Sequence, residues 1–230
     1  MSELIKRLER LFLKLDHMAL LVEQSLADAI YALVAGDEED AKAVIDADEM
    51  IDNREVEIER ECIRLLALYQ PAAIDLRRIC FVIKANNDLE RIADLSVSLA
   101  RMARILRGES VVTTSFQSFQ KLTDLVTDAL HQTIRLFTTQ PQSDTKEGQE
   151  SNHLTLAKSI ISNDNIVDEV FRQYLQEVFE EKSLLESKSN AFYALTSLGR
   201  SLERIGDLCT NIAEDAIFLH TGEIVRHGKQ

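Results

Sequence analysis

Residues that interrupt helices are scarce in this sequence, which has 2 prolines and 7 glycines among its 230 residues. A β-sandwich with its frequent turns, or a disordered chain, would contain more of them. Hydrophobic residues make up 45% of the chain, which is enough to build a hydrophobic core. The composition therefore predicts a folded protein with few turns.

Long apolar runs are also lacking. Segments such as Met18 to Val22 fall far short of the roughly 20 apolar residues that a membrane-spanning helix needs. Residues 1–7 do not form the continuous apolar stretch that is typical of a signal peptide. We therefore expect a cytoplasmic protein.

Positive charge is in short supply, with 26 lysines and arginines against 39 acidic residues and a formal net charge of −13. Such a chain repels phosphate backbones, so we do not expect nucleic acid to be its ligand. An acidic balance of this kind fits a protein that binds cations or contacts basic protein surfaces.

Cysteine is too rare for a disulfide framework. The three cysteines, Cys62, Cys80 and Cys209, are an odd number and contain no CxxC pair. Cys62 and Cys209 fall on apolar helical seams, so we interpret them as buried, reduced thiols.

What the sequence does contain is helical periodicity along most of its length. From Leu4 to Val22, apolar residues alternate in steps of four and three, and a neighbouring stripe from Ile5 to Leu33 runs in steps of seven. The first pattern is typical of a packed helical seam. Two adjacent stripes indicate a helix that packs against at least two partners, as in a bundle.

The first half contains three such segments. The first helix is predicted from about Glu3 to Val34, and Gly36-Asp37 provides a turn and a new N-terminal cap. The second helix should end near Gln70. Pro71 then suits the first turn of a third helix, which should stop at Gly108.

The second half repeats the first. Ile51 recurs as Val167, 116 positions later, and Ile92 recurs as Ile205, 113 positions later. A fourth helix should start near Ser115 or Phe116, and polar residues 138–150 are predicted to form an exposed loop. An internal repeat makes each half one structural unit. We predict an all-α protein of six long helices in two tandem three-helix bundles, residues 1–109 and residues 110–230.

The repeat also preserves pairs of acids four positions apart. This spacing places both carboxylates on one helix face, about 5–6 Å apart at Cβ. Chance alone gives several such pairs in so acidic a chain, so the helix face on which they fall is more informative than their spacing. The pairs are Asp48/Asp52 and Glu90/Asp94 in the first half, and Asp164/Asp168 and Glu203/Asp207 in the second.

Two helices that each offer a carboxylate pair can present four hard oxygen ligands to a cation. Asp48 lies between Val44 and Ile51, on a seam that should be apolar. Such a site suits Mg²⁺, Ca²⁺, Mn²⁺ or oxidised iron. The alternative is that Arg91, Arg204 and nearby lysines pair with these acids on a solvated face.

The sequence contains few residue patterns that are typical of a catalytic site. The 5 histidines do not cluster in sequence, and the one Glu-x-x-His match, Glu150 to His153, lies at the edge of the polar loop. We find neither a glycine-rich phosphate loop nor a nucleophile beside a base. We therefore do not expect an enzyme. The alternative is a metal-carboxylate helical bundle with a catalytic or metal-storage role.

Three segments carry a resemblance to a known family. They are Gln70–Arg77 (QPAAIDLR), Asp88–Asp94 (DLERIAD) and its counterpart Ser201–Asp207 (SLERIGD). Together they closely resemble the PhoU family of bacterial phosphate-signalling proteins, and the similarity spans nearly the whole chain. The resemblance implies a fold of two similar three-helix bundles, in agreement with the periodicity.

The resemblance also implies a function. Proteins of this kind dampen phosphate uptake and phosphate-starvation signalling when phosphate is plentiful. They are thought to act between the phosphate-specific ABC transporter and its sensor histidine kinase, so peripheral association with the inner face of the membrane is expected. A homodimer is expected as well, although the sequence does not fix the oligomeric state.

Metal clusters, reported as iron or zinc, are a further implication of the resemblance, and magnesium or manganese stay open from the ligand chemistry. One departure from the family pattern is Ala93, where the second half has Gly206 and the family often has glycine. Gly199 and Gly206 inside the last helix would make sense if something packs closely there. On this basis one site comprises Asp48, Asp52, Glu90 and Asp94, and the other comprises Asp164, Asp168, Glu203 and Asp207.

Overall fold

The computed structural model describes residues 3–107, 116–138, 146–181 and 190–225. Within these ranges the regular elements are six α-helices and no strand. The prediction of an all-α protein with six long helices is confirmed. The helices are α1 (Glu3–Ala35), α2 (Glu38–Tyr69), α3 (Ala73–Leu106), α4 (Gln117–Thr138), α5 (Lys146–Glu180) and α6 (Asn190–Thr221).

The turn between α1 and α2 has the predicted chemistry. Gly36 adopts a φ of 68°, the left-handed conformation that closes a helix C-terminus. Asp37 caps α2, because its Oδ1 accepts hydrogen bonds from the backbone N–H groups of Glu39 at 2.7 Å and Asp40 at 3.4 Å. A cap of this kind stabilises a helix by about 1 kcal/mol.

The turn between α2 and α3 differs from the prediction. Gln70 is left-handed, with a φ of 44°, and Ala72 is extended, so α3 begins only at Ala73. The placement of Pro71 in the first turn of the third helix is therefore wrong, because Pro71 lies in the connection that precedes that helix. Asp75 does lie in the first turn, where its carboxylate favours the positive end of the helix dipole.

The loop predicted at residues 138–150 is shorter than expected, because α5 already begins at Lys146. Most residues between 146 and 150 are good helix formers, so the polar segment forms the first turn of the helix. Residues 139–145, and the predicted boundary between residues 109 and 110, lie outside the described residues.

The two bundles share one core. Within each half the three helices pack on one another, and α3 also packs against α6 and α1 against α4. Aromatic rings join the halves: Phe81 of α3 stacks on Phe12 of α1, with ring centroids 6.1 Å apart, and lies 5.8 Å from Phe137 of α4. The buried residues of both halves form a single hydrophobic cluster.

In the described part of the chain, α1 is the one helix that is long and apolar enough, by length and composition alone, to cross a membrane. A core helix of a folded bundle passes the same test. Leu15, Met18 and Val22 of α1 are fully buried in the shared core. The apolar character of α1 is therefore explained by its packing.

Candidate metal centre

The first predicted site lies where α2 and α3 pack together. Asp48 of α2 is half-buried on the seam between Val44 and Ile51, which are 3% and 2% exposed. Glu90 of α3 is also half-buried, whereas its partner Asp94 is exposed. Each pair thus places one carboxylate towards the helix–helix contact and the other towards solvent.

Electrostatic coupling shows that the four acids of this site are neighbours in space. Burial raises the pKa of the Asp48 carboxyl above its usual value, and the charges of Asp52 and Asp94 raise it further. Burial also raises the pKa of Glu90, and the charges of Asp94 and Asp52 raise it further. Since these effects cross between α2 and α3, the fold brings both pairs together. The positive charge of Arg101 opposes the shift at Asp48.

At the first site Arg91 contacts an acid outside the predicted set, whereas Asp52 and Asp94 are exposed, as the solvated-face alternative requires. Arg91 lies next to Glu90 in sequence, but its Nη1 lies 3.6 Å from an oxygen of Asp88. The Oδ1 atom of Asp48 is buried and has no hydrogen-bond partner. A desolvated carboxylate oxygen of this kind favours a proton or a cation.

The second predicted site is coupled in the same way across α5 and α6. Burial raises the pKa of Glu203, and the charges of Asp207, Asp168 and Asp164 raise it further. Here the alternative holds in part, because Arg204 Nη1 lies 2.9 Å from an oxygen of Asp207. The second site is therefore partly neutralised by an arginine.

Close packing surrounds this second site. A Cβ added at Gly206 would lie 3.2 Å from Cγ1 of Val167, so the glycine lets α5 and α6 approach each other. Thr210 Oγ1 donates a hydrogen bond to Oδ1 of Asp164 at 3.2 Å. At Gly199 the added Cβ would lie only 2.7 Å from Tyr174. The expectation that something packs closely on both glycines is confirmed.

The donor set fits a hard cation, since every candidate ligand is a carboxylate oxygen and Asp48 Oδ1 is buried without a partner. As the side chains stand, no three His, Cys, Asp or Glu groups within the described ranges are placed to hold one metal ion. The clusters thus gather negative charge on facing helices without forming a finished coordination sphere. The two metal sites stay predictions.

Sequence reasoning missed two further acids: Glu55, at the contact of α2 and α3, and Asp88, which lies where α3 meets α6. Asp88 is only 8% exposed, and burial raises its pKa. Asn86 Nδ2 donates to the backbone oxygen of Glu55 at 3.0 Å. Asp88 lies in the DLERIAD motif, but its counterpart 113 positions later is Ser201, so the repeat gave no signal for it.

Among the described histidines and cysteines, His153, Cys62 and Cys209 are buried, whereas His17 and His131 are exposed. His153 is 7% exposed, and its ring lies 5.3 Å from that of His220, a pairing of α5 with α6 that the sequence did not suggest. Cys62 and Cys209 are fully buried, and burial raises the pKa of each thiol to about 12. The interpretation of these two cysteines as buried reduced thiols is confirmed.

The sequence matches the family model of the PhoU domain twice, over residues 15–103 and 119–216. A relative from Aquifex aeolicus, described as a phosphate-specific transport system accessory protein PhoU homolog, is 37% identical over 98% of this chain and 96% of its own length. A relative of the same description from Clostridium acetobutylicum is 31% identical over 95% of this chain and 94% of its own length.

Solved structures agree with these matches. The crystal structure of PhoU from Pseudomonas aeruginosa superposes with a TM-score of 0.83 at 31% identity, covering 96% of this chain and 100% of the other. The phosphate transport system regulatory protein PhoU from Streptococcus pneumoniae shares the fold, with a TM-score of 0.82 at 24% identity over 97% and 100%. Each half is matched by the family model, and the chain belongs to the PhoU family.

Proposed function

We propose that this chain is a negative regulator of phosphate uptake and phosphate-starvation signalling. It acts by protein contact between the phosphate-specific ABC transporter and its sensor histidine kinase. The observation that carries the proposal is the double match to the PhoU domain, together with relatives that are described as phosphate-specific transport system accessory proteins and covered almost end to end. Membership of this family supports a role in the regulation of phosphate transport.

The geometry supports regulation by binding rather than by turnover. The coupled carboxylates lie on helix faces that are half-buried or exposed. The shared core makes the two bundles one body that can present long helical surfaces to partners. We place this regulator in the cytoplasm, as a homodimer that associates peripherally with the membrane through its partners.

Metal ions enter this proposal as structural or regulatory ligands. A bound cation, whether iron, zinc, magnesium or manganese, would neutralise the facing carboxylates and link the two helices that carry them. The first such link would hold α2 to α3 through Asp48, Asp52, Glu90 and Asp94. The second would hold α5 to α6 through Asp164, Asp168, Glu203 and Asp207.

The proposal is tested with a phosphate-starvation reporter in phosphate-rich medium, in a strain that lacks this gene and in the same strain after restoration. We expect the reporter to switch on in the deletion and off again on restoration. A reporter that stays off in both strains would refute the regulatory role and leave the fold untouched. Restoration with the variant Asp48→Ala, Asp52→Ala, Glu90→Ala, Asp94→Ala then shows whether the first carboxylate cluster is needed.

A second candidate is a metal-carboxylate protein with a catalytic or storage role, and the two coupled carboxylate clusters are the observation that favours it. It predicts that iron-loaded protein reacts with oxygen or hydrolyses phosphate esters, or that it retains many more ions than two clusters can ligate. Stopped-flow oxygen consumption, phosphatase assays and metal content distinguish it from the regulator.

A further inference from the structure

A cleft of about 650 Å³ lies where α2 and α3 of the first half meet α6 of the second. None of the eight predicted metal ligands lines it. Its walls include apolar side chains from both halves, such as Ile83 and Phe218, and the half-buried thiol of Cys80. The cleft therefore lies at the junction between the bundles, beside the first carboxylate cluster, whose Glu90 and Asp52 couple to Glu55.

The polar part of this cleft is strongly acidic. Lys84 is the one basic residue among its lining side chains, and its Nζ lies 2.5 Å from Oδ1 of Asp215. Five carboxylates against one ammonium leave a formal charge of −4 on the walls. The field of so many like charges in a concave site favours a positively charged occupant. The five acids are Glu55, Glu59, Asp88, Glu214 and Asp215.

The chain itself runs into this cleft after α6. Gly222 turns the backbone with a φ of 78°, and its N–H donates to the Phe218 carbonyl at 2.9 Å. The residues that follow the turn, Ile224 and Val225, already line the cleft. The turn thus directs the chain along the acidic wall.

The sequence continues from Val225 as Arg-His-Gly-Lys-Gln, residues 226–230, which lie outside the described residues. This segment carries two permanent positive charges, Arg226 and Lys229, and no acid. A residue of extended chain spans at most about 3.5 Å, so Lys229 is within about 14 Å of Val225 and can reach the carboxylates.

We propose that the acidic cleft is the docking groove for the chain's own basic segment 226–230, which thereby ties α2 and α3 of the first half to α6 of the second. Arg226 and Lys229 pair with the acids that α2 contributes, Glu55 and Glu59. Ile224 and Val225 line the cleft while 74% and 38% exposed, so they bring the segment to the acids without being buried themselves. This contact goes beyond the proposed regulatory function and does not depend on it.

The test is the mobility of residues 226–230 in the full chain, measured as backbone order parameters by ¹⁵N relaxation at low ionic strength. Docking predicts order parameters near 0.8, whereas a free tail falls below about 0.6. The variants Glu55→Gln/Glu59→Gln and Arg226→Gln/Lys229→Gln should each release the segment, and so should about 1 M salt. Asp46→Asn/Glu49→Gln is the matched control, because it removes two exposed acids of α2 that do not line the cleft.

Three results would overturn the proposal. The first is a segment that is mobile at low salt, and the second is a segment that is equally ordered in the wild type and in the Glu55→Gln/Glu59→Gln variant. The third is an order parameter that rises with protein concentration, because the segment would then occupy the cleft of a second copy. Release in both charge variants, retention in the control and independence of concentration are the expected results.

Discussion

The Nε atom of Arg77 donates a hydrogen bond to the carbonyl oxygen of Leu219, at 3.2 Å. Arg77 lies near the start of α3, and Leu219 lies in the last turn of α6, so the bond joins the two halves. A guanidinium at this position satisfies an unpaired helix carbonyl and faces the negative end of the helix dipole. The Gln70–Arg77 motif therefore has a structural role between the bundles.

The first prediction concerns this bond. Arg77→Ala should lower the free energy of unfolding by about 1–2 kcal/mol, because it removes a charge-assisted hydrogen bond at a helix C-terminus. Urea denaturation followed by circular dichroism measures the change. Arg78→Ala is the control: its pair with Asp75, at 3.2 Å, stays within one helix turn and contributes at most about 0.5 kcal/mol. Equal effects of the two variants would contradict the assignment.

The second prediction separates the two glycines of α6. A Cβ at Gly199 would lie 2.7 Å from the ring of the fully buried Tyr174. Gly199→Ala should therefore lower the free energy of unfolding by about 1–3 kcal/mol, as overpacking does in a filled core. At Gly206 the nearest atom, Val167 Cγ1, is 3.2 Å away. The gain of about 1 kcal/mol in helix propensity should then offset most of the crowding.

Thermal unfolding of both alanine variants checks this second prediction. The prediction is that Gly199→Ala is the less stable of the two variants. Both substitutions improve helix propensity by the same amount, so the difference between them reports the crowding alone. A Gly206→Ala variant that is less stable than Gly199→Ala would mean that Val167 has less room to shift than Tyr174.

The third prediction is a pH dependence at Glu90. Because folding raises the pKa of Glu90 above its usual 4.5, the folded state binds the proton more tightly than the unfolded state. Stability then falls as the pH rises from about 4.5 through the raised pKa, and the loss persists at pH 7. In metal-free protein, Glu90→Gln should raise the Tm at pH 7 by about 1–2 °C.

Below about pH 4 this difference should disappear, because Glu90 is then protonated in both the folded and the unfolded states. Calorimetry of wild type and Glu90→Gln in the presence of a chelator measures the Tm difference at pH 7 and at pH 4. Glu49→Gln is the control, an exposed acid on α2 outside the cluster. A Tm difference that is the same at pH 4 and pH 7 would remove the electrostatic explanation.

The fourth prediction is metal content. The variant with alanine at Asp48, Asp52, Glu90 and Asp94 should lose about half of the bound metal, because the second cluster keeps its carboxylates. Elemental analysis after loading and gel filtration measures the ratio, with Asp46→Ala/Glu49→Ala as the control. Binding by the wild type should weaken below about pH 5, since carboxylates must be ionised to act as ligands. Unchanged metal content in the fourfold variant would rule out the first site.

The helical repeat was predictable because the spacing of apolar residues along the sequence indicates which face of each helix is buried. Val44 and Ile51 are buried as the stripe requires, and Asp48 lies between them with one oxygen out of contact with water. The unusual position of this acid was therefore visible before any coordinates. Asp88 was not, because its burial comes from packing at the α3–α6 junction and its repeat counterpart is a serine.

The starts of α3 and α5 were predicted less well, because a helix end depends on single backbone conformations. A proline favours the first turn of a helix but also fits the connection before it, and the left-handed Gln70 decided between the two. The start of α5 at Lys146 shows the same limit, since polar residues suit an exposed helical turn as well as a loop.

The sequence by itself determined the six helices, their repeat and the carboxylate pairs on single helix faces, because each of these depends on neighbours within one or two turns. Only the tertiary structure decided what meets across helices that are distant in the chain. The shared core of the two bundles, the bond from Arg77 to Leu219 and the pairing of His153 with His220 are of this kind. Periodicity defines which face of a helix is buried, but the partner of that face is set by how all six helices pack together.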